Sequence, residues 1–437
     1  MNFSWRNLFL FLPRVEKAGW YLFLFSLPIQ QRVIVYQDTW YFQEWLSFAV
    51  YGTDILLVLL LGIGWLNNGK RFLRGAPTRG EYVLGGFFLA TAASVLISTH
   101  QTVSMLALVR LCEFILLYGY IRRYALAHFD GMRSVAAFLG GVLLQAVIAI
   151  TQFFLQRDAG LQWLGESVLA PALQGVASFY LASGEKIMRA YGTTPHPNVL
   201  AAYLLIALIM ACLMFLRYPA RKMTFAVVYG VLLWALVLTF SRTVIAVWAL
   251  AMIVGGVVLW KRGISRKALA TIGMMTVFCG MILGLAYKPA IESRMTISNQ
   301  DEAVQLRVYY SGQALGSGEK LNLLGVGTGN FVGWLMERHP NLSRYLYQPV
   351  HNVYLLLYSE VGIVGLSLWL VFLVILSIQL RGIWHTTTGV GVAIMMGAVL
   401  AMGVLDHFPW TLQQGRFLLW GSLAVAAFCT SHRDALG

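Results

Sequence analysis

Residues 223–260 read MTFAVVYGVLLWALVLTF, SRT, VIAVWALAMIVGGVVLW: two apolar runs, Met223–Phe240 and Val244–Trp260, separated only by Ser241, Arg242 and Thr243. Each run is long enough to cross a bilayer, for which roughly 20 apolar residues suffice. Two spans joined by three residues must turn at a membrane face, so Arg242 has almost no aqueous loop to move into. A cation held there is costly and usually functional, most often as the partner of an anion. The alternative is an interfacial anchor whose guanidinium reaches into the headgroups.

The same pattern runs along the chain. Of 437 residues, 59% are hydrophobic and 11% charged, with a mean hydropathy of +0.70, which excludes an ordinary soluble domain. Hydropathy predicts about twelve spans, near 20–37, 46–66, 82–98, 103–121, 134–155, 197–216, 223–240, 244–260, 268–287, 352–380, 388–405 and 415–430. The expected fold class is all-α, one polytopic membrane bundle over residues 1–437. Pro28, Gln30, Gln31 and Arg32 interrupt the first span. No small-residue cleavage site follows it, so it is read as a retained helix and not as a signal peptide.

The net charge of +14 is unevenly spread. With the N-terminus cytoplasmic, the inside segments hold 19 of the 32 basic residues and four acids, Glu16, Glu81, Asp130 and Asp434. The rest of the chain is close to neutral. This is a positive-inside signature that places both termini in the cytoplasm and needs no nucleic-acid partner. Cys112, Cys212, Cys279 and Cys429 all lie within or at the end of spans. Their spacing fits neither a metal site nor a disulfide framework, so they read as small apolar residues.

In this orientation two long segments face outside, about 156–195 and 288–350. The second is long enough to be functional in its own right. Val304, Leu306, Val308, Tyr309 and Leu315 predict an amphipathic helix lying on the membrane, and Gly325–Phe331 a flexible turn. Residues 288–350 thus read as a partly helical lid.

Candidate chemistry gathers on that face. Arg242 and Arg307 suit an anionic diphosphate, because a guanidinium stays charged and bonds phosphate oxygens in bidentate fashion. His351, which opens the tenth span beside Asn352, can serve as a general base near neutral pH. The bland alternatives are a solvated helix face for Arg307 and a helix start for His351, with Asn352 as its cap. His196, in the turn-rich stretch Tyr191–Asn198, faces substrate or fills a turn; His339 and Arg416 are further candidate substrate contacts. Arg110 and Glu113, three apart on the fourth span, are expected to neutralise one another, with Asp54 in the second span. Glu360 lies about 900° of helix and roughly 13 Å beyond His351, too far for a dyad, and is expected to bond a neighbouring helix. Asp38 and Glu44 are isolated and Asp301-Glu302 is a lone pair, so no acidic cluster points to magnesium and no metal ligand is assigned.

Taken in order, Thr193-Thr194-Pro195-His196-Pro197-Asn198, Ser241-Arg242-Thr243, Leu306-Arg307 with Tyr310, Leu324–Phe331, and His351-Asn352 through Glu360, Gly362 and Gly365 resemble the O-antigen ligase/polymerase superfamily over about residues 190–420. The N-terminal half matches only in being hydrophobic. The resemblance implies a GT-C-like bundle in a bacterial inner membrane with its active site facing the periplasm. The implied enzyme is an inverting, metal-independent glycosyltransferase that needs no cofactor. Its donor would be an undecaprenyl-diphosphate-linked glycan and its acceptor a sugar of lipid A-core. By the same resemblance Arg242 and Arg307 hold the diphosphate and His351 handles the acceptor hydroxyl. The look of the 288–350 loop favours a ligase; an O-antigen polymerase or a protein O-oligosaccharyltransferase stays open. So does a transporter that uses Asp54, Arg110 and Glu113 as a midplane pathway, although no inverted repeat is visible.

Overall fold

Helix α6 (Pro197–Arg217) lies at the centre of the molecule, with 72% of its most apolar window buried. A helix that is apolar all round belongs inside a bundle. The computed structural model describes residues 5–69, 75–295, 302–316 and 323–432. The elements before α6 are α1 (Trp5–Ser26), β1 (Arg32–Gln37), β2 (Ser47–Tyr51), α2 (Gly52–Asn68), α3 (Arg79–Val95), α4 (Gln101–Tyr120), α5 (Gly131–Leu155), β3 (Ser178–Tyr180) and β4 (Lys186–Met188). After it come α7 (Lys222–Leu238), α8 (Arg242–Lys261), α9 (Arg266–Ala286), α10 (Lys288–Met295), α11 (Glu302–Gly316), α12 (Phe331–Arg338), α13 (Val353–Arg381), α14 (Thr387–Leu405), α15 (Phe408–Thr411) and α16 (Gln413–Ser431). Helix α9 is the opposite of α6. Only 6% of its apolar window is buried, which leaves its surface to lipid.

The chain is mostly helical, and among the described residues eight helices are long and apolar enough to cross a membrane. These correspond to the expected spans from the fourth to the eleventh. Helices α1, α2, α3 and α16 stand where the other four were expected but fall short of that length or hydropathy. The first expected span, 20–37, is corrected. The helix ends at Ser26, and Arg32–Gln37 forms a strand paired antiparallel with Ser47–Tyr51. Pro28 and the polar run after it stop the helix, and the β-branched Val33, Ile34 and Val35 favour the strand. The start of the second expected span is likewise strand β2. Helix α2 begins only at Gly52, where Asp54 accepts from the Tyr51 N–H at 3.0 Å. Arg14, Glu16 and Lys17 therefore lie within α1 and not in a tail before it. Lys70, Arg71, Arg74, Asp301, Arg433 and Asp434 lie outside the described residues.

Within the expected lid, α11 does form, and it packs on α13 through the buried Tyr310 and Ala314. Val308 and Leu315 stay exposed. The glycine turn is held rather than loose. Gly362 takes φ 71° and breaks α13, and the carbonyls just before it bond the turn. Val326 N–H donates to Ser359 O at 2.8 Å and Gly327 N–H to Glu360 O at 3.0 Å. The Phe331 N–H reaches the Glu360 carboxylate at 3.4 Å. Glu360 is therefore bonded where this turn runs into α12, at the first residue of that neighbouring helix. Only glycine fits at the break, because a Cβ on Gly362 would collide with the Leu323 backbone.

The deeper charges close on one another. Arg110 bonds Asp54 at 2.6 Å and Glu113 at 2.7 Å. Gln413 donates to both carboxylates, at 3.2 Å to Glu113. Pairing of this kind is what a buried charge cluster needs to be tolerated. All four cysteines are free thiols.

Candidate active site

The starts of α6, α8 and α13 and the ends of α7 and α14 meet around a cavity of about 690 Å³ at one end of the bundle. Each junction delivers its polar residue for a local reason. At α6, Pro197 occupies the first helical position, where its missing N–H costs nothing. His196 caps the helix, its Nδ1 accepting from Asn198 N–H at 3.1 Å. That bond fixes the neutral ring with its proton on Nε2. Between α7 and α8 the chain reverses through Phe240 at φ 45°, a left-handed conformation uncommon outside glycine. This tight reversal places Ser241 and Arg242 on the cavity wall.

Asn198 ties these junctions together. Its Oδ1 accepts from Arg189 Nη2 at 2.7 Å and from Ser241 Oγ at 2.9 Å, and its Nδ2 donates to Asp406 Oδ2 at 2.9 Å. Arg189 also donates from Nε to Thr239 O at 2.7 Å. Asp406 ends α14 in an extended conformation, and its Oδ1 accepts the His407 N–H at 2.8 Å. Donor atoms of His351, Asp406 and His407 lie within 4.8 Å of one another. The His351 ring meets His407 edge to face at 5.0 Å and stacks on Tyr310 at 5.9 Å. Tyr310 follows Arg307 by three residues, so one face of α11 brings an arginine to the cavity and a ring to His351.

Six arginines line the cavity (Arg32, Arg189, Arg242, Arg294, Arg307 and Arg344) against two acids, Glu44 and Asp406. Arg32 is neutralised by Glu44 through a two-pronged bond, one prong at 2.8 Å. Arg242 donates to Arg294 O at 3.3 Å, so the two are neighbours despite like charge. Burial, and then the Arg294 guanidinium, push Arg189 down to about 9. It remains charged at neutral pH. Burial also pushes down His196, His351 and His407, while Asp406 pulls each of them back up. Burial alone would raise the Asp406 carboxyl, but the histidines and the Asn198 bond outweigh it and hold the carboxylate low. The result is neutral imidazoles beside one anion, in a cavity that arginines line more than acids do among the described residues. The His351, Asp406 and His407 group has the spacing of a cation site. Both Asp406 oxygens already accept hydrogen bonds, however, and arginines share the cavity.

Of the residues expected from the sequence, His351, Arg242, Arg307 and His196 come together here. Three lie elsewhere. Asn352 caps α13, accepting from Tyr354 and Leu355 N–H at 2.9 and 3.0 Å, and its Nδ2 donates to Val404 O at 3.0 Å. Arg416 donates to Trp410 O at 2.6 Å and lines a smaller cavity with Arg110 and Glu360. His339 bonds Gln313 at 2.9 Å within the lid. Asp406, His407, Arg189 and Arg294 were not anticipated. The signal for the first two was an acid-histidine pair in the gap between two apolar runs.

The stretch that contributes Arg242, Arg294, Arg307 and His351 is also the one that matches a known family. Residues 225–370 match the O-antigen ligase family. The resemblance to the O-antigen ligase superfamily thus holds over about a third of the chain, and no curated protein matches it. A segment similar to the O-antigen ligase family, among several helices long and apolar enough to cross a membrane, points to a multi-pass membrane enzyme of glycosyltransferase type, acting on a lipid-linked glycan and a lipid acceptor. The family match begins after Asn198 and ends before Asp406.

Proposed function

We propose that this chain is an O-antigen ligase. It transfers a glycan from undecaprenyl diphosphate to a sugar hydroxyl of lipid A-core at the periplasmic face of a bacterial inner membrane. The observation that carries the reading is the convergence of Arg189, Arg242, Arg294 and Arg307 on the cavity that also holds His351. Four guanidiniums match the charge and bidentate geometry of a diphosphate. They also supply fixed positive charge where negative charge develops as the leaving group departs.

In this mechanism the acceptor hydroxyl gives its proton to His351 as its oxygen attacks the anomeric carbon. The bond from that carbon to the phosphate oxygen breaks on the opposite face, and its electron pair leaves with the polyprenyl diphosphate. Configuration inverts. Asp406 stabilises the charge that His351 gains, as its pull on the imidazole indicates. Asn198 holds Asp406 and Arg189 in register, so the base and the diphosphate clamp are set by one amide. No metal or cofactor enters the step.

Transfer by the purified protein in nanodiscs, with lipid-linked glycan and lipid A-core, tests the reading. Glycan is expected on the lipid A-core band. Lengthening of glycan on the polyprenyl carrier instead would make the protein a polymerase, and glycan on neither lipid would remove the proposal.

A further inference from the structure

One lining residue of the cavity reaches beyond it. Arg344 lines the cavity, and its guanidinium also lies over the rings of Trp40 at 4.5 Å and Tyr41 at 4.2 Å. Trp40 and Tyr41 meet edge to face at 5.2 Å. Trp40 is 83% exposed, so one face of the largest side chain available stands open at the rim. An exposed indole on a free loop would mean little, but this tip is built. Asp38 bonds Tyr36 at 2.7 Å and His100 at 2.6 Å, and His100 reaches Glu337 of α12 at 3.3 Å. Gln43 donates to Tyr347 O at 3.3 Å. The hairpin tip is therefore fixed to both the α3–α4 connection and the lid.

We propose that the open face of Trp40, with Arg344 and Tyr41 behind it, is a carbohydrate-stacking subsite for the glycan of the lipid-linked donor. This rests on the ligase reading above. An aromatic ring offers a flat apolar face to the C–H face of a pyranose, and its position is set by few rotors. Arg344 adds donors for sugar hydroxyls, while the neighbouring Asp38 and Glu337 are of the polar kind that a glycan accepts and a lipid tail does not. The donor is the substrate chosen for a geometric reason. Its sugars continue outward from the carbon under attack, whereas the acceptor reaches that carbon from a glycolipid anchored in the bilayer. Arg344 spans from the cavity, where the diphosphate would sit, to the rim that the outgoing sugars must cross.

The test uses the full-length protein in nanodiscs with the native polyprenyl-diphosphate glycan, intact or trimmed to its first sugar. Trp40→Ala should raise the KM for intact donor about fivefold to tenfold, the scale of one aromatic stacking contact, with kcat unchanged. The trimmed donor should not notice the substitution, and Trp40→Phe should restore most of the loss. Equal effects on both donors, an effect confined to the acceptor KM, or no effect would each overturn the subsite. A fluorophore on Trp40→Cys that brominated lipid quenches would assign the ring to the membrane interface instead. If the wild type transfers from neither donor, the ligase reading fails separately. Saturation-transfer signals from the released native glycan then decide the subsite: their loss in Trp40→Ala supports it, and their absence with wild type overturns it.

Discussion

At the scale of single residues, the proposed site is an arginine clamp facing a proposed base, His351, that burial pushes toward its neutral form. Arg242→Ala and Arg307→Ala should each lower transfer by roughly 10²–10³-fold, as expected for loss of a fixed donor to developing negative charge. Arg242→Lys should rescue poorly, because a point charge cannot reproduce the fork. Normal transfer at normal protein levels would return Arg242 to the role of an anchor. His351→Ala should cost roughly 10²–10⁴-fold in kcat and leave donor binding in place, and chelator should not inhibit the wild type. The pH dependence follows from the sign of the shift. Burial lowers His351 below the ordinary 6.5, so the midpoint of the acid limb should lie below pH 6.5. Asp406→Asn removes the group that raises His351, so the acid limb should move still lower while the plateau of kcat drops. An acid limb that moved upward would show that Asp406 does not act on this imidazole. Arg242 and His351 were legible because they stand at the ends of apolar runs, Arg307 because it lies on an amphipathic helix of the outside segment, and His196 because it lies in a turn-rich helix entry. Arg189 was not, since it lies in a polar loop where an arginine is unremarkable until its burial is known.

At the scale of elements, helix α13 and the glycine turn fix the back of the lid. Residues 353–381 read as one apolar run, and nothing in the pattern announces a break at Gly362. The break exists because the turn at 323–331 spends its backbone N–H groups on the carbonyls that a continuous helix would have used. Gly362→Ala places a Cβ against the Leu323 backbone at a positive φ, a strain of about 1–3 kcal/mol before the clash is counted. Gly312 in α11 has a helical backbone and nothing within 4 Å of its would-be Cβ. There alanine should be neutral or stabilising by about 0.5–1 kcal/mol. Thermal midpoints of the two variants in one detergent should therefore move in opposite directions, or differ clearly in size. Matching midpoints would mean that the turn is not seated in the break. The same local logic explains Asn352: an asparagine immediately before an apolar run is first of all a cap, and here the amide is spent on Tyr354, Leu355 and Val404.

At the scale of the whole molecule, the charge asymmetry predicts the orientation and the fold assembles the proposed site. With 19 basic residues in the inside segments, Asn341 on the lid should face the periplasm and His385, between α13 and α14, the cytoplasm. In a variant lacking Cys112, Cys212, Cys279 and Cys429, a membrane-impermeant thiol reagent should label Asn341→Cys in intact cells. It should reach His385→Cys only after permeabilisation. The reverse pattern would turn the cavity toward the cytoplasm and remove the lipid-linked donor from its reach. The sequence alone determined that the chain is a helical membrane bundle, because apolar runs of bilayer length and the bias of lysine and arginine are local properties of composition. It also marked Arg242 and His351, because a polar residue at the end of an apolar run is conspicuous wherever the run ends up. The first span was misread because Val33, Ile34 and Val35 are apolar in either a helix or a strand, and only pairing with Ser47–Tyr51 decides between them. The tertiary structure alone decided that Asp406, His407 and Arg189 join the base and the clamp. Asn198 bonds Asp406 across 208 positions of chain, and no local pattern encodes a contact made by packing two helices side by side in opposite directions.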